Sequence, residues 1–236
     1  MTEEDEGIRL AKRVAAIAGC SRREAELLIE NGAVRVDGQP ALLPQSRVRP
    51  DQRVEIEHGA RPEPVLPVTL LLHKPAGLPA EEAHRLLLPA NHHDPERAGL
   101  RFLPRHANAQ RCMTPLETGA SGLVVFTQEF RIERKLLEDA AILEHEVMVD
   151  VAGPVGPETL ARMEQRSGAR VSIGQQAEGH TGLRFAIKGP RPGQLAHICD
   201  AAGLQILAMR RIRIGRVPLA GLLARQWRYL GPNERF

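Results

Sequence analysis

Arg22 and Arg23 stand between Ser21 and Glu24, and a Ser followed three residues later by Glu has the spacing of a helix capping box. That box places both arginines in the first helical turn, where the macrodipole and unpaired backbone N–H groups already present positive potential. Cations there cost stability, and two guanidinium groups beside free N–H groups make a phosphate seat. The bland alternative is that both side chains swing into solvent. His92, His93 and Asp94 have metal-ligand residue types, but adjacent residues rarely converge on one ion, and no His-x-x-x-His pair accompanies them. Cys20, Cys112 and Cys199 are odd in number and far apart, with no Cys-x-x-Cys pair. Each is expected as a small buried or half-buried thiol, and no metal site is expected. The remaining candidate is one acid, Glu117, in the stretch Thr114-Pro115-Leu116-Glu117-Thr118-Gly119-Ala120-Ser121 that runs into Gly122-Leu123-Val124-Val125-Phe126-Thr127.

The elements that carry these residues follow from pattern. Ile8–Gly19 reads as a short helix with Leu10, Val14 and Ile17 on one side. The Ser21-capped helix buries Ala25, Leu28 and Ile29 and closes at Asn31-Gly32. Ala33–Val36 alternates as a strand, Asp37-Gly38 signals a hairpin turn, and Val48, Val54 and Ile56 mark returning strands around Pro50-Asp51-Gln52. This order resembles the S-four-type RNA-binding domain of a small-subunit ribosomal protein, from Ile8 to Glu57. The resemblance implies structured RNA as partner, met by Arg9, Lys12, Arg22, Arg23 and Arg35. Gly59, Pro62, Pro64 and Pro67 then make a stiff linker, which gives boundaries of 1–57, 58–66 and 67–236.

Beyond the linker, Val68–His73 is a buried strand candidate ending in Lys74-Pro75-Ala76-Gly77. The segment from Pro89 to Gln110 carries His92, His93, Asp94, Arg97, Arg101, Arg105 and His106; it is expected as a loop, solvated or touching RNA backbone through its arginines. A helix is expected from about Arg131 to Glu138, and strand-like segments stand at Leu70, Val124, Val149, Phe185, Ile206 and Ile212.

The Glu117 stretch resembles the Gly-Arg-Leu-Asp-x-x-x-x-Gly-Leu run of bacterial rRNA pseudouridine synthases, the RsuA, RluB, RluE and RluF group. Lys74-Pro75-Ala76-Gly77, the segment Gly189–Cys199 with Gln194, Met209–Gly215, and Leu219, Leu222, Trp227, Arg228 and Leu230 are similar to further segments of that family. The resemblance implies an α+β protein: a small N-terminal RNA-binding domain and a larger domain with a mixed, mainly antiparallel sheet. It implies isomerisation of uridine to pseudouridine in structured rRNA by one carboxylate, with neither metal nor cofactor. Glu117 stands at the position of the family's catalytic Asp, Pro115 at that of its Arg and Val147 at that of its Tyr. Lys74, Gln194, Arg211 and Arg213 would touch RNA. The alternative, resting on those three departures, is a catalytically silent relative that binds rRNA in ribosome assembly.

Composition sets outer limits. The chain has 236 residues, 42% hydrophobic and 26% charged, enough for one or two cored domains. No apolar run approaches the ~20 residues of a membrane span, and the acidic opening Thr2–Glu6 is unlike a targeting peptide. A cytoplasmic monomer with no membrane partner is expected. Net charge is +3, but Arg210, Arg211, Arg213, Arg216, Arg225, Arg228 and Arg235 face one acid, Glu234, over the last stretch. Such clustering fits a polyanion partner or a solvated basic edge. Aromatic residues total 3%, so platforms for stacking bases are few.

Overall fold

The computed structural model describes residues 7–93, 100 and 102–236. The chain divides into two compact units, Met1–Pro67 with Arg101–Ala109, and Val68–Leu100 with Gln110–Phe236.

In the first unit, β1 (Ile8–Arg9) pairs antiparallel with β4 (Arg47–Val48), and α1 (Leu10–Ala18) follows at once. Gly19 closes α1 in the left-handed conformation at φ 64°, which glycine adopts without steric cost. The buried stripe of α1 is Leu10, Ala11 and Val14, whereas Ile17 is 48% exposed and does not join it. The first two turns are the part that packs on the core; the last turn carries Ile17 beyond it. Helix α2 (Arg22–Glu30) has the expected reciprocal cap: Glu24 N–H donates to Ser21 Oγ at 3.2 Å, and Ser21 N–H donates to Glu24 Oε2 at 2.8 Å. Those bonds to backbone and hydroxyl pull the Glu24 carboxyl below its usual range. α2 buries Ala25, Leu28 and Ile29 against α1.

A three-stranded antiparallel sheet in the order β3 (Gln39–Pro40), β2 (Val34–Val36), β5 (Val54–Ile56) completes the core. Asp37 and Gly38 have φ 51° and 77°, both positive as a tight type I′ hairpin requires. Asp37 is held there by its carboxylate, which accepts from Gln52 Nε2 at 2.8 Å and Arg53 N–H at 2.9 Å. The short helix α3 (Pro104–Ala107) belongs to this unit, and Arg105 pairs with Glu30 at 3.0 Å.

The second unit is built on a sheet ordered β10 (Arg170–Ala177), β11 (His180–Lys188), β9 (Glu144–Ala152), β12 (Ile206–Ile214), β8 (Ser121–Thr127), β6 (Thr69–Lys74), β14 (Trp227–Tyr229). β7 (Arg111–Cys112) joins β8, and β13 (Val217–Pro218) joins β12. Every named pair is antiparallel except β8 with β12. The mixed, mainly antiparallel α+β fold agrees with the sequence. β9 alternates half-buried and buried residues along its length, so Val147, Val149 and Val151 form one apolar row. That row packs with Met163 of α5 (Pro157–Ser167) and with Leu195, Ile198 and Cys199 of α6 (Gln194–Ala201). A second cluster joins Leu71, Leu123, Val125 and Ile214 to Leu136 of α4 (Phe130–Glu138).

β8 and β12 meet unusually closely. Gly122 sits at φ 114°, and a Cβ there would lie 2.2 Å from the Arg211 carbonyl oxygen. Only glycine lets the loop before β8 enter the sheet at this point.

Candidate functional site

Two surfaces collect the residues singled out in the sequence. In the first unit, Arg9, Lys12 and Arg22 come together around a groove of about 330 Å³, with Arg47 on its wall. Arg9 precedes α1, Lys12 lies in its first turn and Arg22 opens α2, so the close packing of the two helices makes the cluster. No carboxylate among the described residues lines the groove. Arg47 had no sequence signal beyond its charge; its approach depends on the β1–β4 pair. Arg23 and Arg35 do not line it. Arg23 instead pairs with Glu26 at 3.5 Å, and Arg35 donates to the Gly38 carbonyl at 3.2 Å. Arg22 also reaches Glu26, at 3.6 Å. One acid a turn into α2 thus offsets the unfavourable placement of both arginines.

In the second unit, Glu117 lies on the lip of a cleft of about 220 Å³. Pro115, Leu116, Ala120, Val147, Leu195 and Met209 give it mainly apolar walls. Glu117 is the only carboxylate among the described residues that line it, and Arg191 brings an exposed guanidinium. The carboxylate accepts a hydrogen bond from Gly193 N–H, at the residue that caps α6. The Gly193 loop is braced in turn, because Gln194 Oε1 accepts from Arg191 N–H at 3.0 Å.

The loop carrying Glu117 is clamped at both ends by buried cations. Arg211 Nε donates to the Leu123 carbonyl at 2.8 Å, and its Nη2 donates to the Thr114 carbonyl. Thr114 Oγ1 accepts from Val125 N–H at 2.9 Å. Gly77 N–H donates to the Thr118 carbonyl at 2.7 Å, and Lys74 Nζ approaches the same oxygen at 3.5 Å. Lys74 Nζ also donates to the carbonyls of Pro75 at 3.0 Å and Leu78 at 2.7 Å. The Lys-Pro-x-Gly turn is therefore a brace for the Glu117 loop.

These contacts correct three expected RNA ligands. Lys74 is 0% exposed and Arg211 is 4% exposed, so neither reaches a polyanion from where it lies. Burial, with Arg211 nearby, lowers the Lys74 pKa. Burial also pulls Arg211 down to about 9, which still leaves it charged at neutral pH. Arg213 is paired with Glu144 at 2.7 Å and Glu146 at 2.9 Å, and these acids raise its pKa. Its charge is neutralised within the sheet. Gln194 acts on its own loop, through the bond to Arg191. In the same way Arg228 is buried against Glu234 at 2.5 Å, so the C-terminal arginine cluster is only partly a surface feature.

The expected loop from Pro89 to Gln110 also differs. His92 stacks on Trp227 with ring centroids 4.1 Å apart and meets Tyr229 edge-on at 5.2 Å. His93 N–H donates to the Trp227 carbonyl at 2.8 Å, and His106 is buried. Asp94, Arg97 and Arg101 lie outside the described residues. Among the described residues no group of three or more His, Cys, Asp or Glu is placed to hold a metal ion. Cys20 and Cys112 are half-buried free thiols and Cys199 is a buried one. No helix is long and apolar enough to cross a membrane, among the described residues.

Comparison with known proteins adds to this geometry. The S4 domain family matches residues 8–54, the segment that folds as the first unit's helices and small sheet. The dual-specificity RNA pseudouridine synthase RluF of Shigella flexneri is 26% identical over 241 residues, covering 98% of this chain and 78% of the relative. The ribosomal large subunit pseudouridine synthase B of Bacillus subtilis is 24% identical over 238 residues, covering 96% and 93%. Over nearly its whole length the chain is thus similar to RNA pseudouridine synthases, and its first segment is similar to the S4 domain. A crystal structure of a pseudouridylate synthase shares the fold, with a TM-score of 0.53 at 17% identity over 95% of this chain and 96% of the other. Pro115 and Val147, the positions at which the resemblance implied a guanidinium and a phenol, both line the cleft, and no aromatic ring among the described residues does.

Proposed function

We propose that this protein isomerises uridine to pseudouridine in structured rRNA, with Glu117 as the acting carboxylate. The observation that carries the proposal is the position of Glu117: the only carboxylate among the described residues lining an apolar cleft, on a loop braced by Lys74, Gly77 and Arg211. The reaction breaks the bond from the ribose to N1 of the base, turns the base, and rejoins it through C5; the C5 proton is lost to solvent and N1 takes one up, so the product is an isomer of the substrate. The target base must leave its stack to reach such a cleft, at a cost of a few kcal/mol. The basic groove of the first unit would supply binding free energy through phosphate contacts. Beside the buried Arg211, Arg191 supplies an exposed guanidinium at the cleft, a role for which Pro115 has no group. Glu117 is one methylene longer than the family Asp, and its bond to Gly193 N–H fixes where the longer side chain ends. The setting that fits this chemistry is the bacterial cytoplasm, with the protein acting as a monomer.

A second reading, rRNA binding without turnover, is favoured by one feature of the same cleft: Gly193 N–H occupies the carboxylate, and among the described residues no ring lines it to hold an extruded base. Tritium release from rRNA labelled at uridine C5 separates the two. On the first reading the protein releases tritium, and Glu117→Gln abolishes release while leaving RNA affinity within about twofold. Glu117→Asp, which withdraws the carboxylate by over ~1 Å, lowers the rate on the order of 100-fold. Full activity in Glu117→Gln would move the catalytic centre elsewhere. Tight rRNA binding with no release by the unaltered protein would establish the second reading.

A further inference from the structure

α5 and α6 pack side by side on the β9–β11 part of the sheet, and between them is a second groove, of about 160 Å³. Its floor is apolar, formed by Met163, Ile198, Ala201 and Ala202, and its rim is Arg162, Arg166 and His197. No carboxylate among the described residues lines it. All three rim residues are exposed, and they come from two helices far apart in sequence. Arg162 and Arg166 are four residues apart on α5, which puts them on one face with a rise of about 6 Å. His197 is four residues beyond Gly193, the N-cap of α6 whose N–H holds Glu117. The same helix therefore leads from the candidate cleft to the rim of this groove, about one turn along its axis.

The geometry points to a second RNA contact in the α5–α6 groove, in which Arg162, Arg166 and His197 hold a backbone phosphodiester outside the nucleotide at Glu117. Guanidinium groups suit a phosphate because their N–H donors match its oxygens two at a time, and an imidazole adds a further donor. The apolar floor of Met163 and Ile198 suits the ribose beside that phosphate rather than a bare ion. By pattern alone Arg162 and Arg166 are ordinary solvated positions on a surface helix; only the packing of α5 beside α6 brings them to one rim with His197. This proposal rests on the reading of the protein as an rRNA binder.

The experiment measures affinity for a fluorescein-labelled rRNA hairpin by anisotropy, across a salt titration, in the full chain. In Arg162→Ala/Arg166→Ala the salt slope is expected to fall by about two units, and affinity at about 0.1 M salt by on the order of 50-fold. In Arg162→Lys/Arg166→Lys the slope stays close to that of the unaltered protein. An alanine variant with unchanged slope and affinity returns the groove to a solvated basic face and overturns the proposal, while the rRNA reading stands. A lysine variant that loses as much slope as the alanine one assigns the loss to helix packing and also overturns it. Inorganic phosphate alone, followed by the shift of the His197 ring signals, is expected to bind too weakly to saturate at ten millimolar on the order-of-magnitude scale of a single exposed anion contact. Saturation below that, lost in the alanine variant, makes this a small-anion site and overturns the RNA assignment. Failure of the unaltered protein to bind rRNA would instead remove the reading on which the proposal rests.

Discussion

The two units use positive charge in opposite ways. In the first, Arg9, Lys12 and Arg22 gather around an open groove with no carboxylate among the described residues on its wall. In the second, Lys74 and Arg211 are buried, and their donors are spent on the backbone carbonyls that shape the Glu117 loop. Arg213 is neutralised by Glu144 and Glu146. A basic residue in an RNA-binding protein thus has at least two uses, meeting the polyanion or fixing the frame that presents the reactive group. Charge in the sequence does not separate them; depth does. Each use makes a different measurement respond.

The largest expected effect is on stability, in the second unit. Arg211→Met keeps length and removes the donors, leaving the carbonyls of Thr114 and Leu123 without their bonds. An unsatisfied buried carbonyl costs about 1–3 kcal/mol, so the variant should lose about 3 kcal/mol in urea unfolding. Lys74→Met removes the donor to Pro75 and Leu78 and should cost a similar amount, about 2–4 kcal/mol. Trp227, the one tryptophan and fully buried in this unit, reports the transition. If either variant keeps its full stability but loses RNA affinity, the residue belongs with the first unit's cations and the contrast fails.

The next effect is on RNA, in the first unit. Arg9→Ala, Lys12→Ala and Arg22→Ala together remove three exposed charges from one groove. The salt slope should fall by about 2.7 units and affinity at about 0.1 M salt by a few hundredfold, with stability nearly unchanged. Arg35→Ala, on the hairpin and away from the groove, should leave the slope as it is.

Much of the frame was legible because local physics decides it. The Ser21–Glu24 cap, the Asp37-Gly38 turn, the buried β6 and the alternation of β9 each need only a few neighbouring residues. Ile17 was misplaced because the periodic stripe continues one turn further than the core beneath it. β10 gave no strand signal, since seven of its eight positions are exposed and its pairing comes from β11 through the turn at Gly179. The site was legible in outline only. Glu117 was found as an acid before a Gly-Leu strand, but its bond to Gly193 spans 76 residues, and the braces from Lys74 and Arg211 are equally non-local. Those two cations read the same way in sequence as the three in the groove.

Burial of charge in the second unit also makes that unit sensitive to acid. His145 is 8% exposed, and burial together with Arg211 and Arg213 depresses its pKa to about 3. A histidine whose folded pKa lies below its unfolded one binds its proton more readily when unfolded. Its contribution to stability is full above the unfolded value of 6.5 and is lost as pH falls from there toward 3. Between about pH 7.5 and pH 5 the loss should be about 2 kcal/mol, read from urea midpoints by Trp227 fluorescence. Glu146, depressed to about 2 by its bonds to Arg213 and Arg184, adds a further loss only once pH falls below 4.5. His145→Phe should flatten the upper part of the curve and leave the lower part. A curve unchanged by that substitution would place the titrating group elsewhere.

The smallest effect falls on two adjacent residues of one helical turn. Arg22 and Arg23 share the same dipole penalty and the same partner, Glu26, at 3.6 and 3.5 Å. Both are more than half exposed, so each pair contributes only a few tenths of a kcal/mol, about the size of the penalty it offsets. Stability in Arg22→Ala and in Arg23→Ala should therefore stay within about 0.5 kcal/mol of the unaltered protein. The two diverge in RNA binding, because only Arg22 lines the groove. Its removal should lower the salt slope by about one unit, and that of Arg23 by much less. Equal losses from the two would mean that the contact surface follows the α2 N-terminus rather than the groove shared with Arg9 and Lys12, and the first unit would then bind through one helix end instead of a cluster built by two.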